Sequence, residues 1–290
     1  MRASSLIKQF LQFFLTAALV ILPTTSVLSA HLNDVEAVPH LDASGTAGYR
    51  AFITSKRHRA FAIAPGGMWS WKGDETSAGA ASEAALQSCQ FESEQQCIVY
   101  AVDERVVFDK QNWASLWGPY LNRTEASSKA TGAQRGKRFY DIRFKDAAGK
   151  SLKLSDLHGK VVIVHLWGSW CPPCQRELPE LQRLHQSLGN SPDIKIVLLQ
   201  VRENFATSKL AVKRHHLKLP LYDSGVQEKS DDQLKLASGG TLKDRDIAAV
   251  FPTTYILDKH GIVLFSHTGP VSDWQGYLPL LKDAAARSGK

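Results

Sequence analysis

The sequence predicts an α/β fold in the C-terminal half of the chain, residues 139–290, preceded by a small α+β module over residues 31–124. Three observations carry this division. Val161 to Trp167 is a continuous apolar run, as a strand buried on both faces requires. Helix-like and strand-like periods alternate after it, the order of a sheet with crossover connections. Before it, Glu125 to Arg138 is small, polar and basic with no apolar period, and reads as a linker over residues 125–138.

The first thirty residues stand apart. Arg2 and Lys8 precede the apolar run from Phe10 to Leu22, and small residues follow as far as Ala30. That is the order of a secretory signal over residues 1–30, with a run short for a bilayer crossing of about 20 residues. The chain is expected to be exported, into a periplasm or a similar compartment, with the signal cleaved or kept as an anchor. Losing Arg2 and Lys8 takes the formal charge from +7 to +5, an ordinary basic surface. At 43% hydrophobic and 22% charged residues the chain is globular rather than disordered. Its four cysteines are too few for a disulfide-stapled scaffold.

In the upstream module, Ala60–Ala64 and Met68–Trp71 flank Pro65-Gly-Gly67 as a hairpin does. Asp74 to Cys89 is Ala-rich and helical, with Thr76 as its expected cap, and Cys97–Val102 is a strand that Arg105–Phe108 extends. Asn112 to Leu121 reads as a short helix packing Trp113 and Trp117. Export makes Cys89 and Cys97, between a helix end and a strand start, a structural disulfide in preference to a redox pair. Trp69 and Trp71 either divide between core and surface or form a ligand-binding face.

Downstream, Phe139–Phe144 alternates as a strand, and Val161–Trp167 is the buried strand, broken by Gly168. Cys171-Pro-Pro-Cys174 opens a helix that runs to His185, with a kink expected where Pro179 interrupts it. Ile194–Val201 is the next strand and Ala206–His216 the next helix. Thr253–Asp258 and Ile262–His267 form a hairpin, and Gln275–Ala285 closes the chain as a helix. The order βαβα–ββα, with the Cys-x-x-Cys at the first strand-to-helix junction, is that of a thioredoxin fold. Tyr222 to Ala249 is longer than this order needs and is expected to shape the rim of a substrate groove.

The run from Lys153 to Pro179, with His165-Leu-Trp-Gly-Ser-Trp-Cys-Pro-Pro-Cys174 at its centre, resembles the TlpA-like family of exported thioredoxins. That family includes membrane-tethered thiol reductants of cytochrome c maturation and sporulation. The resemblance implies a protein thiol:disulfide oxidoreductase in which Cys171 attacks and Cys174 resolves, as a redox-active Cys171–Cys174 disulfide. It implies proton handling at Glu177, for which a solvated helix residue is the alternative. It also implies a cis-proline at Pro252, facing the cysteines, and substrate contact at Phe251, Pro252 and Thr253. The family usually carries a small or β-branched residue where Phe251 stands. Its implied partners are disulfide-bearing exported proteins and a membrane thiol donor that reduces the Cys-x-x-Cys again.

Physical chemistry supports the cysteine assignment. A thiolate at a helix N-terminus meets the positive end of the macrodipole and free N–H donors, both of which lower its pKa. Cys174, one turn on, lies on the same face and can reach a mixed disulfide at Cys171. His165, six residues before Cys171, is either a proton relay to Cys174 or a satisfied core histidine. Trp167 and Trp170 are expected around the site, with Trp170 as a lip for substrate.

Other classes fare worse. A thiol peroxidase of this fold needs Pro and Thr upstream of its cysteine, where Val164 and Gly168 stand here. Zinc needs about four ligands and the chain has no second Cys-x-x-Cys, so no bound metal and no cofactor are expected. Nucleic acid is not expected for an exported chain without a stacking motif. The competing reading is a docking or delivery protein in which the upstream module carries the specific function.

Overall fold

The computed structural model describes residues 31–93 and 95–289. The export signal expected over residues 1–30 lies outside the described residues.

The upstream module contains α1 (Ala43–Thr54), β1 (Ala60–Ile63), β2 (Trp69–Lys72), α2 (Ala78–Glu92), β3 (Ile98–Val102), β4 (Arg105–Val106) and α3 (Lys110–Trp117). The four strands form an antiparallel sheet in the order β2-β1-β3-β4. Alternation along β1 separates two cores. Phe61 and Ile63 meet Tyr49 and Phe52 of α1 on one face, whereas Ala60 and Ala62 meet Ala81 and Ala85 of α2 on the other.

Helix α1 is a structure the sequence does not announce. Gly45 and Gly48 each cost about 1 kcal/mol of helix propensity, and tertiary packing overrides them. A Cβ on Gly48 would stand 2.3 Å from the Trp69 ring, so only glycine lets α1 lie this close to β2. Asp42 starts the helix by accepting a hydrogen bond from the Gly45 N–H at 2.7 Å. Trp69 and Trp71, two residues apart, share one face and are half-buried. Trp69 lies beneath α1 and stacks on Phe61, with centroids 5.8 Å apart, so one side of it is core. The second helix starts later than expected, because Ser77 rather than Thr76 caps it. A disulfide joins Cys89 to Cys97, with Cα atoms 6.1 Å apart, and ties the last turn of α2 to the start of β3.

The polar stretch read as a linker is ordered by backbone hydrogen bonds that composition does not reveal. It starts inside α4 (Arg123–Ser128), where Asn122 and Glu125 form a reciprocal capping box. It ends against the outer strand of the downstream sheet, with the Gly136 N–H donating to the Val263 carbonyl and the Phe139 N–H to that of Gly261. The halves also meet directly: the Gln95 side chain donates to the buried Leu264 carbonyl, and Trp117 packs on Phe265.

Downstream come β5 (Arg143–Lys145), β6 (Ser151–Lys153), β7 (Val161–Trp167), α5 (Pro172–Leu188), β8 (Ile194–Gln200), α6 (Phe205–Arg214), β9 (Leu221–Tyr222), β10 (Gln233–Lys235), β11 (Thr241–Lys243), β12 (Thr253–Leu257), β13 (Val263–Thr268) and α7 (Leu278–Arg287). The central sheet has the order β13-β12-β7-β8-β9, parallel from β7 to β9 and antiparallel from β7 through β12 to β13. Every residue of β7 is buried, as its unbroken apolar run requires. This is the thioredoxin arrangement. The strand expected at Phe139–Phe144 shortens to β5, because Phe139 is drawn to Gly261 and onto Tyr255. Helix α5 runs on through Pro179.

The insertion between Tyr222 and Ala249 has two destinations. The β10–β11 hairpin packs toward the β5 end of the domain, where Leu236 bridges Ile142. Only its last part, from Asp244, returns toward Phe251.

Candidate active site

Strand β7 ends at Trp167, and the chain turns sharply through Gly168 to Trp170. A Cβ on Gly168 would lie 2.2 Å from the Trp170 indole nitrogen, so the turn demands glycine. That nitrogen donates to the Val201 carbonyl at 2.9 Å, and Ser169 is held by Glu203, which accepts from the Ser169 N–H at 2.8 Å. Gly168→Ala is therefore expected to displace Trp170 and cost about 1–3 kcal/mol, as overpacking does. The thermal midpoint and the tryptophan emission of the purified variant check this.

Cys171 is the N-cap of α5, and its sulfur accepts a hydrogen bond from the Cys174 N–H at 3.2 Å. The two cysteines form a disulfide with Cα atoms 5.3 Å apart. Pro172 opens the helix, where a missing N–H costs nothing. Cys171 is 4% exposed and Cys174 fully buried, so an incoming sulfur meets Cys171 first. Phe251–Pro252 is a cis peptide, and the Phe251 carbonyl oxygen lies 3.4 Å from the Cys171 sulfur. Trp170, 39% exposed, meets Phe251 edge-on, while the Arg245 guanidinium lies 4.9 Å from the centre of that ring. Phe251 is thus built into a rim of Trp170, Phe251 and Arg245.

Thr253, expected at the substrate surface, is turned away from it. Its hydroxyl donates to the Val250 carbonyl at 2.6 Å, and its residue pairs with Leu166 on one side and Thr268 on the other. It is buried because β12 is an inner strand.

On β7 and α5, His165 and Glu177 are both buried and face each other, with His165 Nε2 3.8 Å from Glu177 Oε2. The alternative of a solvated Glu177 is excluded by this burial. The His165 Nδ1 pairs with the Thr254 hydroxyl at 2.8 Å. Glu177 Oε1 accepts from the Val271 N–H at 3.1 Å and from the Trp274 indole at 2.7 Å. The two facing atoms, His165 Nε2 and Glu177 Oε2, have no hydrogen-bond partner. Burial pushes the Glu177 carboxyl up to about 7, against the pull of its two donors, and lowers His165 to about 3. At neutral pH the histidine is neutral. The contact is then between a buried neutral base and a carboxyl whose charged form burial disfavours, not an ion pair.

Sequence reasoning did not find the residues that hold these groups. Thr254, Val271 and Trp274 lie roughly ninety residues beyond their partners, and no local pattern marks them. Glu203 and Arg245 were missed for the same reason. Among the described residues no group of three His, Cys, Asp or Glu side chains is arranged to hold a metal.

Fold and paired cysteines together define the class, a thioredoxin-like protein thiol–disulfide oxidoreductase. The chain belongs to the Redoxin family, whose profile matches residues 134–278. Among curated proteins, the thioredoxin-like protein YneN of Bacillus subtilis is 28% identical over 146 residues, half of this chain and 78% of that protein. The thiol-disulfide oxidoreductase ResA of Bacillus cereus is 31% identical over 147 residues, again half of this chain and 77% of that protein. The crystal structure of StoA from Bacillus subtilis overlays 51% of this chain and 98% of its own, at 22% identity and a TM-score of 0.37.

Proposed function

We propose that the chain is an exported reductant of client-protein disulfides, working through Cys171-Pro-Pro-Cys174. The observation that carries this reading is the position of Cys171, capping α5 beneath the Phe251 carbonyl with Cys174 fully buried behind it. In the dithiol form, the Cys171 thiolate attacks a client disulfide, forming a mixed disulfide and releasing one client thiolate. Cys174 then attacks the Cys171 sulfur, the second client thiolate leaves, and the Cys171–Cys174 disulfide remains. Two electrons have passed to the client. Glu177 serves the second step, taking the Cys174 proton as its thiolate forms, and His165 packs against it as a neutral neighbour.

An extended client segment lies along the Phe251 backbone, with Trp170, Phe251 and Pro252 as its contacts. Thr253 supports that strand from within. A membrane thiol donor returns the cysteines to the dithiol state. The resemblance to exported reductants supports this direction. Equilibration of the Cys171–Cys174 pair with glutathione tests it. The expected potential is more negative than about −200 mV, whereas a value near about −120 mV belongs to a strong oxidant and contradicts the assignment.

A further inference from the structure

A second cleft lies near the strand that carries Phe251 and Pro252. The Pro252 carbonyl accepts from the Gly269 N–H at 2.8 Å, and Thr253 is in register with Thr268. One strand spacing, about 5 Å, therefore separates the client-facing strand from Thr268 and Gly269, where the segment Thr268–Asp273 begins. That segment is one wall of a cleft of about 560 Å³ whose opposite wall belongs to the upstream module. The cleft lies between the two halves of the chain, and its lining includes Val271, the residue that also holds Glu177.

Its charge is one-sided. Asp42 and Glu92 line it from the upstream module and Asp273 from the downstream domain, with no Lys or Arg among the described lining residues. The sign opposes the +7 of the whole chain. Asp42 and Asp273 are fixed in place as caps, accepting from the Gly45 N–H and from the Gln275 N–H at 2.9 Å. Each also accepts a second donor on the same Oδ1, the Ser44 hydroxyl at Asp42 and the Gly276 N–H at Asp273, and Oδ2 keeps its lone pairs for a ligand. Their common field is felt by Tyr277 in the same cleft, whose hydroxyl is pushed up by burial and then by Asp42, Asp273 and Glu177. His40 reaches the cleft as well; its Nε2 is held by the Trp113 indole, and its Nδ1 is buried without a partner.

We propose that this cleft continues the client groove and binds a Lys- or Arg-bearing stretch of the client polypeptide, making the upstream module a selector of clients. The inference rests on the oxidoreductase reading for its setting. It assigns the module a recognition task within that chemistry. Complementary charge would steer such clients to Cys171, chiefly through their rate of association.

The first test is independent of redox chemistry. Fluorescence anisotropy measures binding of two labelled, cysteine-free Gly/Ser peptides to the full chain at low ionic strength, one carrying four Lys and the other four Glu. The Lys peptide is expected to bind at least tenfold tighter, although the protein is itself basic. Asp42→Asn/Glu92→Gln/Asp273→Asn removes that preference, and the Asn substitutions retain the capping oxygens. Glu36→Gln/Glu83→Gln/Glu228→Gln removes the same charge elsewhere and leaves the preference intact. Equal binding of the two peptides by the natural chain, or an undiminished preference in the first triple variant, overturns the proposal. The second test places an intramolecular disulfide in each peptide and compares their reduction rates, expected to favour the Lys peptide at least tenfold. If neither disulfide is reduced, the oxidoreductase reading fails, and the anisotropy still decides the cleft.

Discussion

Cys171→Ser is expected to abolish insulin reduction, by at least about a thousandfold, while the protein keeps its fold. Removing a nucleophile that acts as part of a unit costs nearly all of the chemistry. The serine hydroxyl still accepts the Cys174 N–H and still caps α5, so little stability is lost. Cys174→Ser behaves differently. Its Cys171 can attack once, but nothing resolves the mixed disulfide, and the protein stalls bound to its client. The two variants are equally inactive in turnover and opposite in what they leave attached. Gel mobility without reductant and intact-protein mass separate them.

The second large effect concerns Glu177. Its carboxyl titrates near 7 in the folded protein and near 4.5 when unfolded. Between those values the folded state holds a proton that the unfolded state has released. Stability therefore falls as pH rises through this window, by up to about 3 kcal/mol if the whole shift is expressed. Glu177→Gln removes that penalty while its amide oxygen still accepts from Val271 and Trp274. The variant is expected to be more stable than the natural chain at pH 8 and no more stable at pH 4.5, in urea titrations at each pH. His165 has the opposite sign. Its folded value near 3 lies below 6.5, so its contribution is lost as pH falls from 6.5 toward 3.

Activity should move against stability in Glu177→Gln. With no carboxylate to take the Cys174 proton, resolution is expected to slow by about a hundredfold at pH 8. Its rise with pH near 7 should vanish. Rapid mixing with a preformed mixed disulfide reads this step directly. A variant that is merely damaged would lose stability and keep the pH profile, which is the reverse pattern.

The history of each residue explains what the sequence allowed. Val161–Trp167 and the Cys-x-x-Cys helix were legible because strand burial, helix capping and cysteine spacing are local signals, written within ten or twenty residues. Helix α1 was not, because Gly45 and Gly48 argue against it and only the distant Trp69 explains them. The linker looked empty because its order comes from backbone bonds to Gly261 and Val263, which leave no compositional trace. At the site, the sequence marked Glu177 and His165 as candidates but not their confrontation. That required β7 and α5 to pack together, with the loop at Val271 and Trp274 closing over them. Thr253 flanks the proline in sequence, yet its hydroxyl is drawn to the Val250 carbonyl and its side chain is buried, which no local signal shows.

The most direct measurement is mass mapping of the adduct formed when reduced Cys174→Ser protein meets oxidised insulin. One insulin molecule per protein is expected, joined through Cys171 and released by dithiothreitol. An unmodified Cys171, with insulin left intact, contradicts that expectation.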